Sequence, residues 1–340
     1  MPPSPPWLSP IRELHREIRA AVIAACKRQS VEAMSSVAED GEGDTLYALD
    51  KVSEAVLVSG LTRDADRLGG VVLVAEGIAG GFVTLPEHRA ESSCRYRILV
   101  DPIDGTRTLM YQKRPAWILT GVAANRGQAT RLSDIELAVQ TEIPLVKQHL
   151  ADEVWAVRGG GAHELRVNVL TGESSAIELR PSRAATVEHG FAMVSRFFPG
   201  ARDELAAIDE EVISHLLGPP VGQKARCFED QYASSAGQLY ELMSGHDRFV
   251  ADLRPMLVPI LAARGLPAPF CCHPYDVCTA LIAEELGVHV RNPEGGRFDC
   301  SFDIAEDVAW VGYANRTLLE TIEPVLKGVL ERRNLLRSLR

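Results

Sequence analysis

No uninterrupted run of 18 apolar residues occurs in the 340-residue chain, which excludes a single-helix membrane span. A basic surplus is missing as well: 36 Lys and Arg face 46 Asp and Glu, giving a formal net charge of −10 and a pI near 5.5. That field repels phosphate backbones, so nucleic acid is excluded as a principal partner. A small phosphorylated substrate stays admissible, because bound divalent cations reverse the sign of the field inside a site. The seven cysteines are odd in number and show no repeated CxxC spacing, which argues against a disulfide framework or a zinc ribbon. Cys271 and Cys272 are adjacent, and adjacent cysteines rarely wrap one tetrahedral ion. The start, "MPPSPPWLSP", has neither a basic n-region nor an apolar h-region. We read residues 1–10 as a short disordered leader and expect a cytoplasmic protein. Gly159 to Gly161 are not followed by Lys-Ser/Thr, so they predict a hairpin turn and not a phosphate loop.

What is present is ordinary globular material, with 46% hydrophobic and 24% charged residues and a mean hydropathy of −0.02. Ser9-Pro10 resembles a helix start, and Ile11, Leu14, Ile18, Val22 and Ala25 follow as one apolar stripe. "SVAEDGEGDT" predicts a mobile loop, and "ALDKVSEAVLVSGL" a second helix with Asp50 and Glu54 on one face. "GGVVLVAEG" and "YRILVD" are short apolar strands, each stopping at an acid. From Trp117 to Val169 the pattern is that of an antiparallel meander. "DELAAIDEEVISHLL" and "SSAGQLYELMSG" predict helices, "DRFVADL" a strand, and "YDVCTALIAEELG" a helix opened by Asp276 and closed by Gly287. "RTLLETIEPVLKGVLERRNLL" is the last helix. Without a repeat or a long linker, the mixture predicts an α/β (α+β) protein of alternating helix and sheet layers. We expect one unit over 11–340, with an α+β half at 11–185 and an α/β half at 186–340.

The chemistry concentrates in acids placed at strand ends or helix starts: Glu76, Asp101, Asp104 and Asp276. Four clustered carboxylates do not all stay ionised without cations, and hard divalent ions such as Mg²⁺ take oxygen ligands. Four negative charges balance two Mg²⁺ ions. Gly105 lets backbone approach a ligand closely, and the Thr106 hydroxyl is suited to orienting an attacking water. Together these point to a two-metal site gripping a phosphoryl group.

The run Asp101-Pro102-Ile103-Asp104-Gly105-Thr106 resembles the signature of the inositol monophosphatase family, Mg²⁺-dependent, lithium-sensitive phosphatases whose superfamily includes fructose-1,6-bisphosphatase. "DTLYALDKVSE", "LVAEG", "VRGGGA", "SSAGQL" and "YDVCTALIAEELGVHVRNPEGGRFD" follow in the family's order. The resemblance implies a layered αβαβα sandwich, commonly a homodimer. It implies that Glu76, Asp101 and the Ile103 carbonyl hold one metal, and Asp101, Asp104 and Asp276 the other. Thr106, supported by Asp50, would with Glu76 serve the attacking water, with no covalent phosphoenzyme. Gly105, Thr106, Arg107, Gly237, Gln238 and Asp252 match positions that contact substrate. The expected cofactor is Mg²⁺, two ions with a third left open, and Mn²⁺ as a substitute.

Several positions depart from the family pattern. Gly77 replaces the second glutamate of a pair, Asp252 is one methylene shorter than the usual glutamate, and Arg107-Thr108 replaces the usual sequence after the threonine. The leading expectation is a phosphomonoesterase for a small polyol or sugar phosphate, resembling inositol monophosphate. Fructose 1,6-bisphosphate, 3′-phosphoadenosine 5′-phosphate and histidinol phosphate are alternative substrates, and a weakly active regulatory homologue is an alternative role. An aspartyl-phosphate mechanism needs its second acid two residues after the nucleophile, whereas Asp104 is three after Asp101.

Overall fold

A computed structural model describes residues 5–28, 30, 34, 37–40, 45–78, 80–219, 221–222 and 224–336. The first part of the chain runs α1 (Leu8–Arg28), β1 (Val37–Asp40), β2 (Thr45–Tyr47), α2 (Ala48–Ala65), β3 (Val71–Ala75), β4 (Phe82–Leu85), β5 (Tyr96–Asp104), α3 (Thr106–Met110) and β6 (Ala116–Ala124). The meander continues with β7 (Ile135–Ile143), β8 (Leu150–Val157), β9 (Ala162–Asn168) and β10 (Ser174–Ala176). The rest comprises β11 (Phe191–Val194), α4 (Arg202–Leu217), α5 (Ser235–Met243), β12 (Asp247–Asp252), α6 (Val258–Ala263), α7 (Ala280–Glu285), β13 (His289–Arg291), β14 (Trp310–Tyr313) and α8 (Arg316–Arg332).

An eight-stranded sheet has the order β10-β9-β8-β7-β6-β5-β3-β4, and a four-stranded sheet the order β11-β12-β14-β13. β3 lies parallel to β5, and from β5 to β10 each pairing is antiparallel. All five residues of β3 are buried, the pattern of a strand covered on both faces. α1 and α2 cover one face of the large sheet, α5 and α7 fill the space between the sheets, and α4 and α8 close the far side of the small one. The expected αβαβα layering is therefore what the chain adopts. No helix among the described residues is long and apolar enough to cross a membrane.

Three local expectations differ from the structure. The leader is shorter than expected: α1 starts at Leu8, with Ser9 and Pro10 inside its first turn, where proline forfeits no helical hydrogen bond. Just ahead of it Trp7 is 1% exposed and meets Tyr96 edge to face at 6.1 Å. Residues 1–4 lie outside the described residues. In the acidic segment expected to be a loop, β1 and β2 pair antiparallel, and 41–44 lie outside the described residues. The helix expected over 275–287 is divided into a 3-10 turn, Pro274–Val277, and α7. Asp276 sits third in that turn and not at its cap, because its carboxylate folds back to accept the His273 N–H at 2.6 Å.

Trp7→Ala empties a site closed by both α1 and β5, so we expect it to lower stability by about 3–5 kcal/mol, read as a shift of the urea midpoint. A leader detached from the fold would give no shift.

Candidate metal centre and its cleft

In an unbroken strand, residues three apart face opposite sides. Asp101 and Asp104 nevertheless converge, because β5 carries a bulge between them: Asp101 pairs with Leu119 and Asp104 with Trp117, three residues against two. Pro102 lacks the N–H that a regular ladder would need there, and the Ile103 N–H turns instead to Asp101 Oδ1 at 2.9 Å. Gly105 then takes φ +94°, and an added Cβ would sit 3.2 Å from Ser234 Cβ. This left-handed step, open to glycine at least cost, ends the strand and starts α3 at Thr106.

Each acid is anchored by a different element. Asp104 Oδ2 accepts the Ser234 hydroxyl at 2.8 Å and the Ala236 N–H at 2.6 Å, so it rests on the N-terminus of α5. Ser234 also caps that helix, accepting the Gly237 N–H at 2.8 Å. Asp276 is fixed by the turn described above. Glu76 follows β3 and accepts from the Tyr275 hydroxyl at 3.5 Å. One ligand oxygen from each of Asp101, Asp104 and Asp276 lies within 4.8 Å of the others, and Glu76 lines the same open cleft.

The electrostatics follow from that crowding. Burial first, then the charges of Asp104, Glu76 and Asp276, push the Asp101 carboxyl well above its ordinary range. Burial and the Asp104 charge raise Asp276 to about 8. Asp104 rises to about 6 through burial, opposed by the Ala236 N–H, the Ser234 hydroxyl and the Arg254 charge. These groups cannot all ionise together without a counter-charge. An all-oxygen donor set of this kind fits a hard divalent cation. The nearby thiols do not compete: all seven cysteines are free, and burial pushes Cys271 up to about 12 and raises Cys272 and Cys278 well above the ordinary thiol range.

Beside the acids, Thr106 Oγ1 lies 3.0 Å from Asp50 Oδ1 and 2.8 Å from the Ile103 carbonyl. Asp50 reaches this spot from the first turn of α2. Of the sequence-predicted residues, Glu76, Asp101, Ile103, Asp104, Gly105, Thr106, Arg107 and Asp276 line the cleft. Gly237, Gln238 and Asp252 are not among its lining residues. Gln238 is fully buried, its amide spent on Ser195 Oγ at 3.0 Å and the Tyr232 carbonyl at 2.8 Å. Gly237 packs under the Tyr232 ring, which a side chain would strike. Asp252 is also fully buried, and Arg254 takes both its oxygens, at 2.8 and 2.5 Å. Gly77 has φ +82°, a conformation in which a second glutamate would be strained.

Sequence reasoning missed Ser234, Arg254, Phe197, Phe198 and Phe270, all of which line the cleft. Ser234 had a signal, a serine directly before an apolar helix. Arg254 had a weaker one, a base two residues after an acid at a strand end. The three phenylalanines come from loops and carry no periodic pattern.

No protein-family model matches the chain, and no curated protein sequence matches it. Solved structures do match across nearly its whole length. A Leishmania major fructose-1,6-bisphosphatase superposes with a TM-score of 0.67 at 12% identity, covering 97% of this chain and 96% of its own. The extragenic suppressor protein suhB from Bartonella henselae gives 0.62 at 15% identity, over 94% and 98%. Inositol monophosphatase II from Staphylococcus aureus gives 0.58 at 14% identity, over 97% and 98%. The chain thus has the fold of inositol monophosphatase and fructose-1,6-bisphosphatase structures, the group its sequence motifs resemble.

A carboxyl whose folded pKa is raised binds its proton more tightly in the folded state, so its stabilisation is complete at low pH and is lost as pH rises. For Asp276 the window runs from the ordinary 3.8 to about 8. In chelator, Asp276→Asn should therefore match the wild type near about pH 4 and exceed it in melting temperature near about pH 9. Parallel melting curves across that range would overturn the assignment.

Proposed function

We propose that the protein is a Mg²⁺-dependent phosphomonoesterase acting on a small polyol or sugar phosphate, by direct attack of water and without a covalent intermediate. The observation that carries this reading is the meeting, in one cleft, of the Asp101, Asp104 and Asp276 carboxylates with the Thr106 hydroxyl that leans on Asp50. Fold neighbours that are themselves phosphatases by name support it.

Glu76, Asp101 and the Ile103 carbonyl would hold one cation, and Asp101, Asp104 and Asp276 a second. When bound, such ions supply the positive charge that draws an anionic ester into an acidic cleft and offsets charge on the attacking and leaving oxygens. The protein's own groups do the rest. A hydroxyl donates one proton, and both acceptors of Thr106 Oγ1 lie on the protein side, so its lone pairs are left for an incoming O–H. Water placed there passes its proton toward Thr106 Oγ1 while the Thr106 proton moves toward Asp50 Oδ1. The new bond is water oxygen to phosphorus, the broken one is phosphorus to ester oxygen, and the departing alkoxide takes up a proton. Ser234 and the Ala236 N–H keep Asp104 ionised and in place throughout.

The test is phosphate release from a panel of esters. Asp104→Asn should lower kcat/KM by at least about 100-fold, and Thr106→Val should lower kcat by about 10²–10⁴ with little change in KM. Chelation should abolish turnover and Mg²⁺ restore it, with lithium inhibitory. Activity that persists in Asp104→Asn, or survives chelation, would sink the mechanism.

A further inference from the structure

The sequence led to an acid, Asp252, facing the substrate; the structure presents a base in its stead. Asp252 is withdrawn behind the cleft, its Oδ1 accepting Arg254 Nε–H at 2.8 Å and its Oδ2 accepting Nη2–H at 2.5 Å. Arg254 Nη1 donates to the Phe270 carbonyl at 2.8 Å. Phe197 and Phe198 cover the guanidinium, their ring centres 4.6 and 5.3 Å from its carbon. Only 4% of this side chain is exposed, yet Arg254 lines the cleft beside the acidic floor.

A guanidinium carries five N–H groups, of which three are committed here, leaving one on each terminal nitrogen. The bidentate pair with Asp252 fixes the plane of the fork, so little conformational freedom is left to lose on binding. A buried ion pair is often no better for stability than an apolar pair of the same volume. A rigid, cleft-facing cation with spare donors is, by contrast, what recognition of an anion requires.

A second cation stands at the same wall. Arg107 lines the cleft and lies 5.2 Å from the centre of the Phe198 ring and 5.0 Å from that of Phe270. Phe198 is thus shared by both arginines. The wall is positive and aromatic where the floor is negative.

We propose that Arg254 and Arg107 form a second anion subsite, so that the preferred substrate is a phosphate ester carrying a further phosphate or carboxylate away from the scissile group. This rests on the phosphatase reading of the carboxylate floor. Asp252 is then a positioning residue, acting through Arg254.

The experiment compares glycerol 1-phosphate, 3-phosphoglycerate and glycerol 1,3-bisphosphate, by steady-state kinetics and by calorimetric binding in Mg²⁺. Wild-type protein should favour at least one doubly anionic ester by about 10-fold or more in kcat/KM, chiefly through KM, and by a similar ratio in affinity. Which ester is favoured decides between carboxylate and phosphate. In Arg254→Met that ratio should fall to about 1. Because this change strands the buried Asp252 charge, Asp252→Leu/Arg254→Met and Arg107→Met are measured beside it, and each should lower the ratio. Equal preference in the wild type, or a ratio unmoved in all folded variants, overturns the subsite. If no ester is turned over, the phosphatase reading falls, and the affinity ratios still decide the subsite.

Discussion

Asp101, Asp104 and Asp276 are held at a separation where their charges repel unless a proton or a counter-charge intervenes, and much of the local backbone is arranged to hold them there. A bulge rephases β5 so that two acids three residues apart share a side. A left-handed glycine ends the strand before a third residue intervenes. The N-terminus of α5 receives Asp104, and a 3-10 turn pinned by its own Asp276 supplies the last carboxylate. β5 belongs to the large sheet, whereas α5 and the turn lie between the two sheets. The floor therefore exists only when the layers are docked, and once its carboxyls are ionised their repulsion opposes that docking. A cation bound by the same three side chains would link its binding to folding.

Much of this was legible in the chain because it depends on local pattern. Apolar runs ending in acids mark β3 and β5, and an acid-turn-acid spacing followed by Gly-Thr marks the floor. What the pattern could not carry was the competition between side chains for the same partner. Asp252 reads as a strand-end acid, but a guanidinium two residues later claims both its oxygens. Gln238 reads as a polar residue near the start of a helix, but Ser195, distant in sequence, and the Tyr232 carbonyl six residues earlier absorb its amide. Asp276 reads as a cap because acids favour helix starts, and its actual hydrogen bond shortens the helix it was expected to open. Trp7 lies within a proline-rich stretch that looks detached, and its burial in the core, edge to face with Tyr96 on β5, helps tie that stretch to the fold.

The buried polar contacts between α1 and the large sheet show the same logic away from the cleft. His15 is fully buried, with its ring nitrogens 2.9 Å from Thr141 Oγ1 and 2.8 Å from Thr120 Oγ1. Burial lowers its pKa to about 3, so the ring is neutral and pairs with hydroxyls that serve either tautomer. Arg12 and Arg16 reach the buried Glu153 from the same helix. α1 is thereby held in one register on β6, β7 and β8, the strands that continue the sheet away from β5. A rigid sheet at this point matters because the bulge in β5 is hydrogen-bonded directly to β6.

Charge alone does not make Arg254 an attractor. Its pairing with Asp252 cancels the field at distance, so the pair adds little to long-range steering in a chain of net charge −10. What survives the pairing is directional: N–H groups fixed in a plane, seated against aromatic rings and screened from water. Such groups discriminate at contact range, since a ligand lacking the matching acceptor leaves them unsatisfied. On the proposed reading, attraction of an anionic ester falls to cations bound at the floor, and selection among esters to the wall. The two tasks are separated in space, and a substitution in the wall can alter which ester is preferred while the carboxylate floor keeps its geometry.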